Sequence, residues 1–283
     1  AGPMTLAELN VSVKDRLKAI SVAMERERWS NGENWLDLPK SARQIQVNLT
    51  DFSAKILDDG VVVFETRSVI GANDEKRRSP EFSDRMEHMV VNPTWNVPRS
   101  ITVGEYLPEL QLDPFALSEL TLISPEGEEV DRFDVNFNDY TPEDFPYDLK
   151  QKPSHSNALG LVKFMFPNPY NIYLHDTPQK ALFSRDERAF SHGCIRLHQP
   201  FDFAYALLAR QTNTPKKRFQ TALDLGEENI IFLRQPVPVH IIYRTAVTAP
   251  NGRIGFRRDI YGRDAQIFAA LQKAGVVITS NQG

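Results

Sequence analysis

The sequence predicts a β-rich α+β fold, and three observations carry that reading. Apolar residues alternate at period two through several short stretches; those stretches cluster with few long helices between them; and prolines interrupt them where edges and corners belong. A doubly wound parallel sheet would need more helix between its strands than the sequence offers.

Each element follows in order. Val13, Leu17, Ile20 and Met24 recur at helical spacing, and Ser12 with Asp15 forms a capping box, so residues 1–40 are expected as a helical lead-in whose helix ends near "RERW" (26–29). From residue 43 to 71 the period becomes two, with Ile45 and Val47, then Val61 and Val63, separated by the turn "DDG". "MVVNPTWNVPRSI" (89–101) reads as a strand broken by Pro93 and Pro98. Residues 99–154 mix short helical patches with proline-rich polar turns, the composition of an inserted cap and not of a second globular domain. "NALGLVKFMFPNPYNIYLHDTP" (157–178) returns to β, 201–211 supplies a helix, 229–247 two strands and 263–275 a closing helix. The expected organisation is a catalytic domain at 41–98 and 155–247, the cap between them, and a C-terminal extension at 248–283.

Composition narrows the function. Among 283 residues, 41% are hydrophobic and 25% charged, and no apolar run approaches the roughly 18 residues of a membrane span. A formal net charge of −4 argues against a nucleic-acid partner, and the clusters "EKRR" and "KKR" read as solvated surface. One cysteine means no internal disulfide. The opening "AGPM" resembles a processing scar, so an export signal or anchor is expected to have been removed.

That one cysteine lies in "RAFSHGCIRLHQP" (188–200). A lone cysteine is usually a small buried hydrophobe. Here Gly193 precedes it, which permits a tight turn and can aim adjacent N–H groups at one point, the ordinary material of an oxyanion hole. Upstream, in "YNIYLHDTP", alternation puts Ile172 and Leu174 on one face and Tyr173 and His175 on the other. If the apolar pair faces the core, His175 faces a cleft. An imidazole there would accept the proton of a thiol that is otherwise only a few per cent ionised near neutral pH. The alternative of zinc ligation by His175, His192, Cys194 and His198 has a spacing that fits no common structural site, and Ser191 is a weaker nucleophile than its neighbouring thiol.

His175, fifteen intervening residues, then Ser191-His192-Gly193-Cys194-Ile195-Arg196-Leu197 resembles the signature of the L,D-transpeptidase catalytic domain, or YkuD domain. The flanks at 90–101, 157–178 and 252–264 are similar to the YcbB-like branch, whose catalytic cleft is capped by an insertion. The resemblance implies a mixed β-sandwich with flanking helices and an inserted capping subdomain. It also implies an exported enzyme of the bacterial envelope, expected in the periplasm, that takes peptidoglycan tetrapeptide stems as donor and acceptor, needs no cofactor or metal, and is acylated by carbapenems. Carried over by motif, Cys194 is the nucleophile, His175 the general base and Gly193 part of the oxyanion hole. His192 either holds the turn or polarises the thiol. Arg196 binds a substrate carboxylate or pairs with a buried acid, and Tyr173, Trp95, Ser191 and Asn157 are substrate-binding candidates. A hydrolytic L,D-carboxypeptidase or endopeptidase of the same fold, and a non-catalytic wall-binding module, are the rival readings.

Overall fold

The computed structural model describes residues 2–30, 43–249 and 251–278, so residues 31–40 of the expected lead-in lie outside the described residues. Fifteen strands are described. Nine build the main sheet: β1 (Gln44–Asn48), β2 (Ser53–Asp58), β3 (Val61–Gly71), β4 (Phe82–Val91), β9 (Val162–Met165), β10 (Leu174–His175), β11 (Ala189–Ser191), β12 (Ile195–Leu197) and β13 (Asn229–Ile242). Four short strands make a second sheet: β5 (Trp95–Asn96), β6 (Leu120–Ile123), β7 (Glu129–Val130) and β8 (Asp148–Gln151). A hairpin of β14 (Ala246–Thr248) and β15 (Ile254–Phe256) stands apart.

The main order is β11-β3-β12-β10-β9-β4-β13-β1-β2, and β2 pairs back to β3, so the circuit closes. Closure leaves only β11, paired with β3 alone, outside the circuit, and so removes most of the exposed edge that an open sheet of this size would carry. The β-rich α+β reading holds, and the circuit encloses one core. In that core Ile45, Met89, Phe164, Leu174, Ile195 and Ile241 from the strands meet Phe203 and Leu207 of the helix Pro200–Leu208. Phe203 sits edge-on to Phe164 with ring centroids 4.9 Å apart, a pair worth about 1 kcal/mol beyond its buried area.

A second apolar cluster runs from Trp95 to Leu159 and gathers Leu107, Leu110, Leu122, Phe137, Phe145 and Leu149. The stretch 99–154, with β5 at its entrance, therefore packs around its own small core beside the four-stranded sheet.

Two local expectations hold and one changes. The stretch 229–247 carries two strands, the 14-residue β13, with a register shift between Phe232 and Val237 where Pro236 removes a ladder donor, and the start of β14. The expected interruption at Pro93 separates β4 from β5. The helix Val13–Ser30 starts at the Ser12–Asp15 capping box, with Asp15 N–H donating to Ser12 Oγ at 3.1 Å, but its buried face differs from the expected one. Val13 and Met24 are exposed, whereas Val22 and Arg26 are buried.

The reason is an ion pair that periodicity does not register. The Arg26 side chain is 4% exposed, reaches Asp264 at 2.5 Å and Glu81 at 3.5 Å, and lies 4.9 Å from the Tyr243 ring centroid. It ties this helix to the closing helix Asp264–Lys273. Removing one partner of a buried pair strands the other charge. Arg26→Ala should therefore lower the unfolding free energy by about 3 kcal/mol in urea titration, and a loss under about 1 kcal/mol would contradict the role.

Candidate active site

β10 and β12 run side by side and parallel, with Leu174 opposite Ile195 and His175 opposite Arg196. The Ile195 N–H donates to the Tyr173 carbonyl at 3.1 Å, which extends the pairing one step back, so Tyr173 faces Cys194. Leu174 and Ile195 are fully buried in the core. By the period of two, Tyr173, His175, Cys194 and Arg196 therefore share the opposite face. His175 is offset from Cys194 by one strand and two residues, about 4.8 Å across and about 6.6 Å along, a diagonal within reach of an imidazole. All four residues line one cavity of about 460 Å³, with Trp95, Ile101, Tyr106, Tyr170 and Gln179 across it. A larger concavity of about 820 Å³, against Glu8, Arg16, Phe52 and Arg188, holds neither the thiol nor a histidine.

The electrostatics describe a resting pair that is neutral. Burial pushes the Cys194 thiol up to about 11, against the lowering effect of hydrogen bonds from Tyr173 and of the Arg196 charge. Burial, followed by repulsion from Arg196, lowers His175 to about 3, although the carbonyls of Asp176 and Leu159 favour its charged form. His175 Nδ1 lies 2.5 Å from the Asp176 carbonyl oxygen, which can only accept. Nδ1 therefore carries the hydrogen, and Nε2 is left with the lone pair of a base. The thiol donates to the Asn171 carbonyl at 3.7 Å, and no hydrogen bond joins it to His175 among the described residues. Asn171 has φ of 54°, a left-handed conformation that asparagine tolerates.

The turn before the thiol is built from its own groups. Gly193 has φ of 113°, open to glycine alone, and a Cβ there would approach Ile172 Cδ1 to 3.1 Å. Ser191 is buried; its hydroxyl donates to the Cys194 carbonyl at 2.5 Å and accepts the Gly193 N–H at 3.2 Å. The expected two-donor oxyanion hole is thereby corrected: the Gly193 N–H is engaged within the turn, and the Cys194 N–H has no acceptor among the described residues. Ser191, expected to meet substrate, has its hydroxyl occupied as a clamp.

Other candidates divide. His192 points to the cap, where its Nε2 is 2.7 Å from Glu105 Oε1, so it neither holds the turn nor polarises the thiol. Arg196 donates to Gln179 Oε1 at 2.6 Å and makes no ion pair among the described residues. The expected buried acid is thus absent from its described contacts, and the guanidinium remains open to a substrate carboxylate. Trp95 lines the cavity edge-on to Tyr106, with centroids 6.3 Å apart. Asn157 is fully buried and braces Pro93, Gln151 and Lys152 through main-chain carbonyls, which removes it from the substrate candidates. The sequence reading missed Tyr106, Asn171 and Gln179; only the "NPYN" turn around Asn171 carried a local signal. Among the described residues no cluster of His, Cys, Asp or Glu could hold a metal ion, and no helix is long and apolar enough to cross a membrane.

A closed β circuit thus carries a thiol and an imidazole on one cleft wall. The chain belongs to the L,D-transpeptidase catalytic domain (YkuD) family, whose model matches residues 42–217. It is 32% identical over 239 residues to a Haemophilus influenzae protein named provisionally as an L,D-transpeptidase, covering 84% of this chain and 48% of that one. The chain thus spans about half the length of that curated relative. Among solved structures it is similar to an L,D-transpeptidase from Mycobacterium smegmatis (TM-score 0.32, 13% identity, 71% of this chain and 58% of that one). It is also similar to L,D-transpeptidase 3 from Mycobacterium tuberculosis with a faropenem-derived adduct (TM-score 0.32, 14% identity, 71% and 60%).

With the thiol held up near 11, the thiolate fraction, and with it the rate of alkylation by iodoacetamide, should climb tenfold per pH unit from 7 to 10. A plateau beginning below pH 8 would show a preformed thiolate and contradict the neutral pair.

Proposed function

We propose that this chain is a peptidoglycan L,D-transpeptidase that cross-links stem peptides through a thioester on Cys194. The observation that carries the reading is the placement of Cys194 and His175 on one face of adjacent parallel strands, lining one cavity. As the sulfur closes on the donor carbonyl, the thiol proton passes to His175 Nε2. The new C–S bond gives a tetrahedral oxyanion, and Tyr173 steadies the charge that develops on sulfur as the proton leaves. Collapse breaks the bond to the terminal D-amino acid, whose amine takes the proton from His175. Arg196 is suited to hold that residue's carboxylate bidentately.

The thioester stores the energy of the cleaved amide. The side-chain amine of a diaminopimelate in a second stem attacks it, His175 accepts the amine proton, and the departing sulfur is reprotonated. A diaminopimelate-to-diaminopimelate link between third residues results. The apolar wall of Trp95, Ile101 and Tyr106 limits water at the intermediate and so favours the amine. Such a substrate puts the enzyme in the bacterial envelope, in the periplasm, and the strained β-lactam carbonyl of a carbapenem would acylate the same thiol. The similarity of the flanks supports the capped, YcbB-like branch.

Incubation with a disaccharide-tetrapeptide followed by mass spectrometry should give a dimer lacking one D-alanine. Tripeptide alone would replace transfer with hydrolysis, and unchanged substrate would leave a wall-binding module. Cys194→Ala should abolish turnover, and His175→Ala should reduce it by about 10²- to 10⁴-fold.

A further inference from the structure

The catalytic turn is held from behind by a residue far away in sequence. Ser79 is fully buried, 114 positions before Gly193, and its hydroxyl donates to the Gly193 carbonyl at 2.6 Å. The same oxygen accepts the Gly71 N–H at 3.0 Å, so the direction of its O–H is fixed. Tyr261 of the C-terminal extension completes the anchor: its hydroxyl donates to the Gly71 carbonyl at 2.6 Å and accepts the Ser79 N–H at 3.3 Å. Tyr243 accepts the Tyr261 N–H at 2.8 Å and donates to Asp259 at 2.6 Å. Gly71 leaves the loop its room, since a Cβ there would fall 2.0 Å from the Arg77 carbonyl oxygen.

A trans peptide unit points its C=O and N–H in opposite directions. The Gly193 carbonyl and the Cys194 N–H belong to one such unit, and glycine at φ of 113° leaves that plane unusually free to rotate. Pinning the carbonyl toward buried Ser79 turns the Cys194 N–H the other way, toward the cavity that Cys194 lines. With the Gly193 N–H engaged by Ser191, the Cys194 N–H is the turn's remaining oxyanion donor.

We infer that Ser79 is a positioning residue that sets the orientation of the Cys194 N–H for the tetrahedral intermediate, and that Tyr261 holds Ser79 in place for this task. The inference rests on Cys194 being the acyl acceptor. Ser79 touches neither substrate nor thiol; it acts through the peptide plane alone.

The test compares two reactions of one sulfur. Acylation by a carbapenem passes through an oxyanion, whereas alkylation by iodoacetamide displaces iodide at a saturated carbon and forms none. In Ser79→Ala, acylation followed by intact-protein mass should slow by about 10- to 100-fold, somewhat less than removal of an oxyanion donor outright. Alkylation at the same pH should stay within about threefold of wild type. Equal slowing of both reactions would show a merely structural role and overturn the inference, as would two unchanged rates. If Ser79→Ala does not fold, Tyr261→Phe removes one hydroxyl from the next link and should show the same split at smaller amplitude; no split there overturns the inference. Wild-type protein that alkylates normally but is never acylated would instead overturn the reading of Cys194 on which this rests.

Discussion

The parallel pairing of β10 with β12 is the constraint on which the cleft depends. It is a contact of only a few residues, sealed by the Ile195 N–H on the Tyr173 carbonyl, yet it fixes which side chains share a face. Slipping one strand by a residue would turn His175 or Cys194 into the core and raise Leu174 or Ile195 into the cleft. Burial of those two aliphatic side chains opposes such a slip, at about 2–3 kcal/mol each. Core packing on one face therefore holds the chemistry on the other.

Burial has a second effect. A thiol pushed up and an imidazole pushed down make an uncharged pair near neutral pH, unlike a preformed thiolate–imidazolium pair. An uncharged thiol resists casual alkylation and oxidation. Arg196 contributes in both directions, since its charge lowers the thiol and also opposes protonation of His175. The stretch 99–154 reaches this wall through Glu105 and His192, 87 residues apart in sequence, so it is fastened to the turn that carries Cys194.

What the sequence disclosed was local. Alternation in "YNIYLHDTP" separated Tyr173 and His175 from Ile172 and Leu174, and glycine before Cys194 marked the turn, because both depend on near neighbours. The β-rich class followed from the same alternation. Contacts across long separations were hidden: Ser79 behind Gly193, Glu105 on His192, and Arg26 between Glu81 and Asp264. Arg26 also shows why the helical face was misjudged, since an apolar stripe cannot reveal a face whose burial is decided by a charge. Asn157 and Ser191 misled for a related reason. Polar residues beside a motif suggest substrate, but both were needed to satisfy main-chain groups that would otherwise be buried without partners.

The central claim is that the sulfur of Cys194 becomes an acyl carrier. Its most direct test is the intact mass of the protein quenched in acid within seconds of mixing with a disaccharide-tetrapeptide donor, with peptide mapping of the adduct. The account predicts a mass increase equal to the donor less D-alanine, confined to Cys194 and released by hydroxylamine. An unmodified Cys194 during observed turnover, or an adduct on any other side chain, would contradict it.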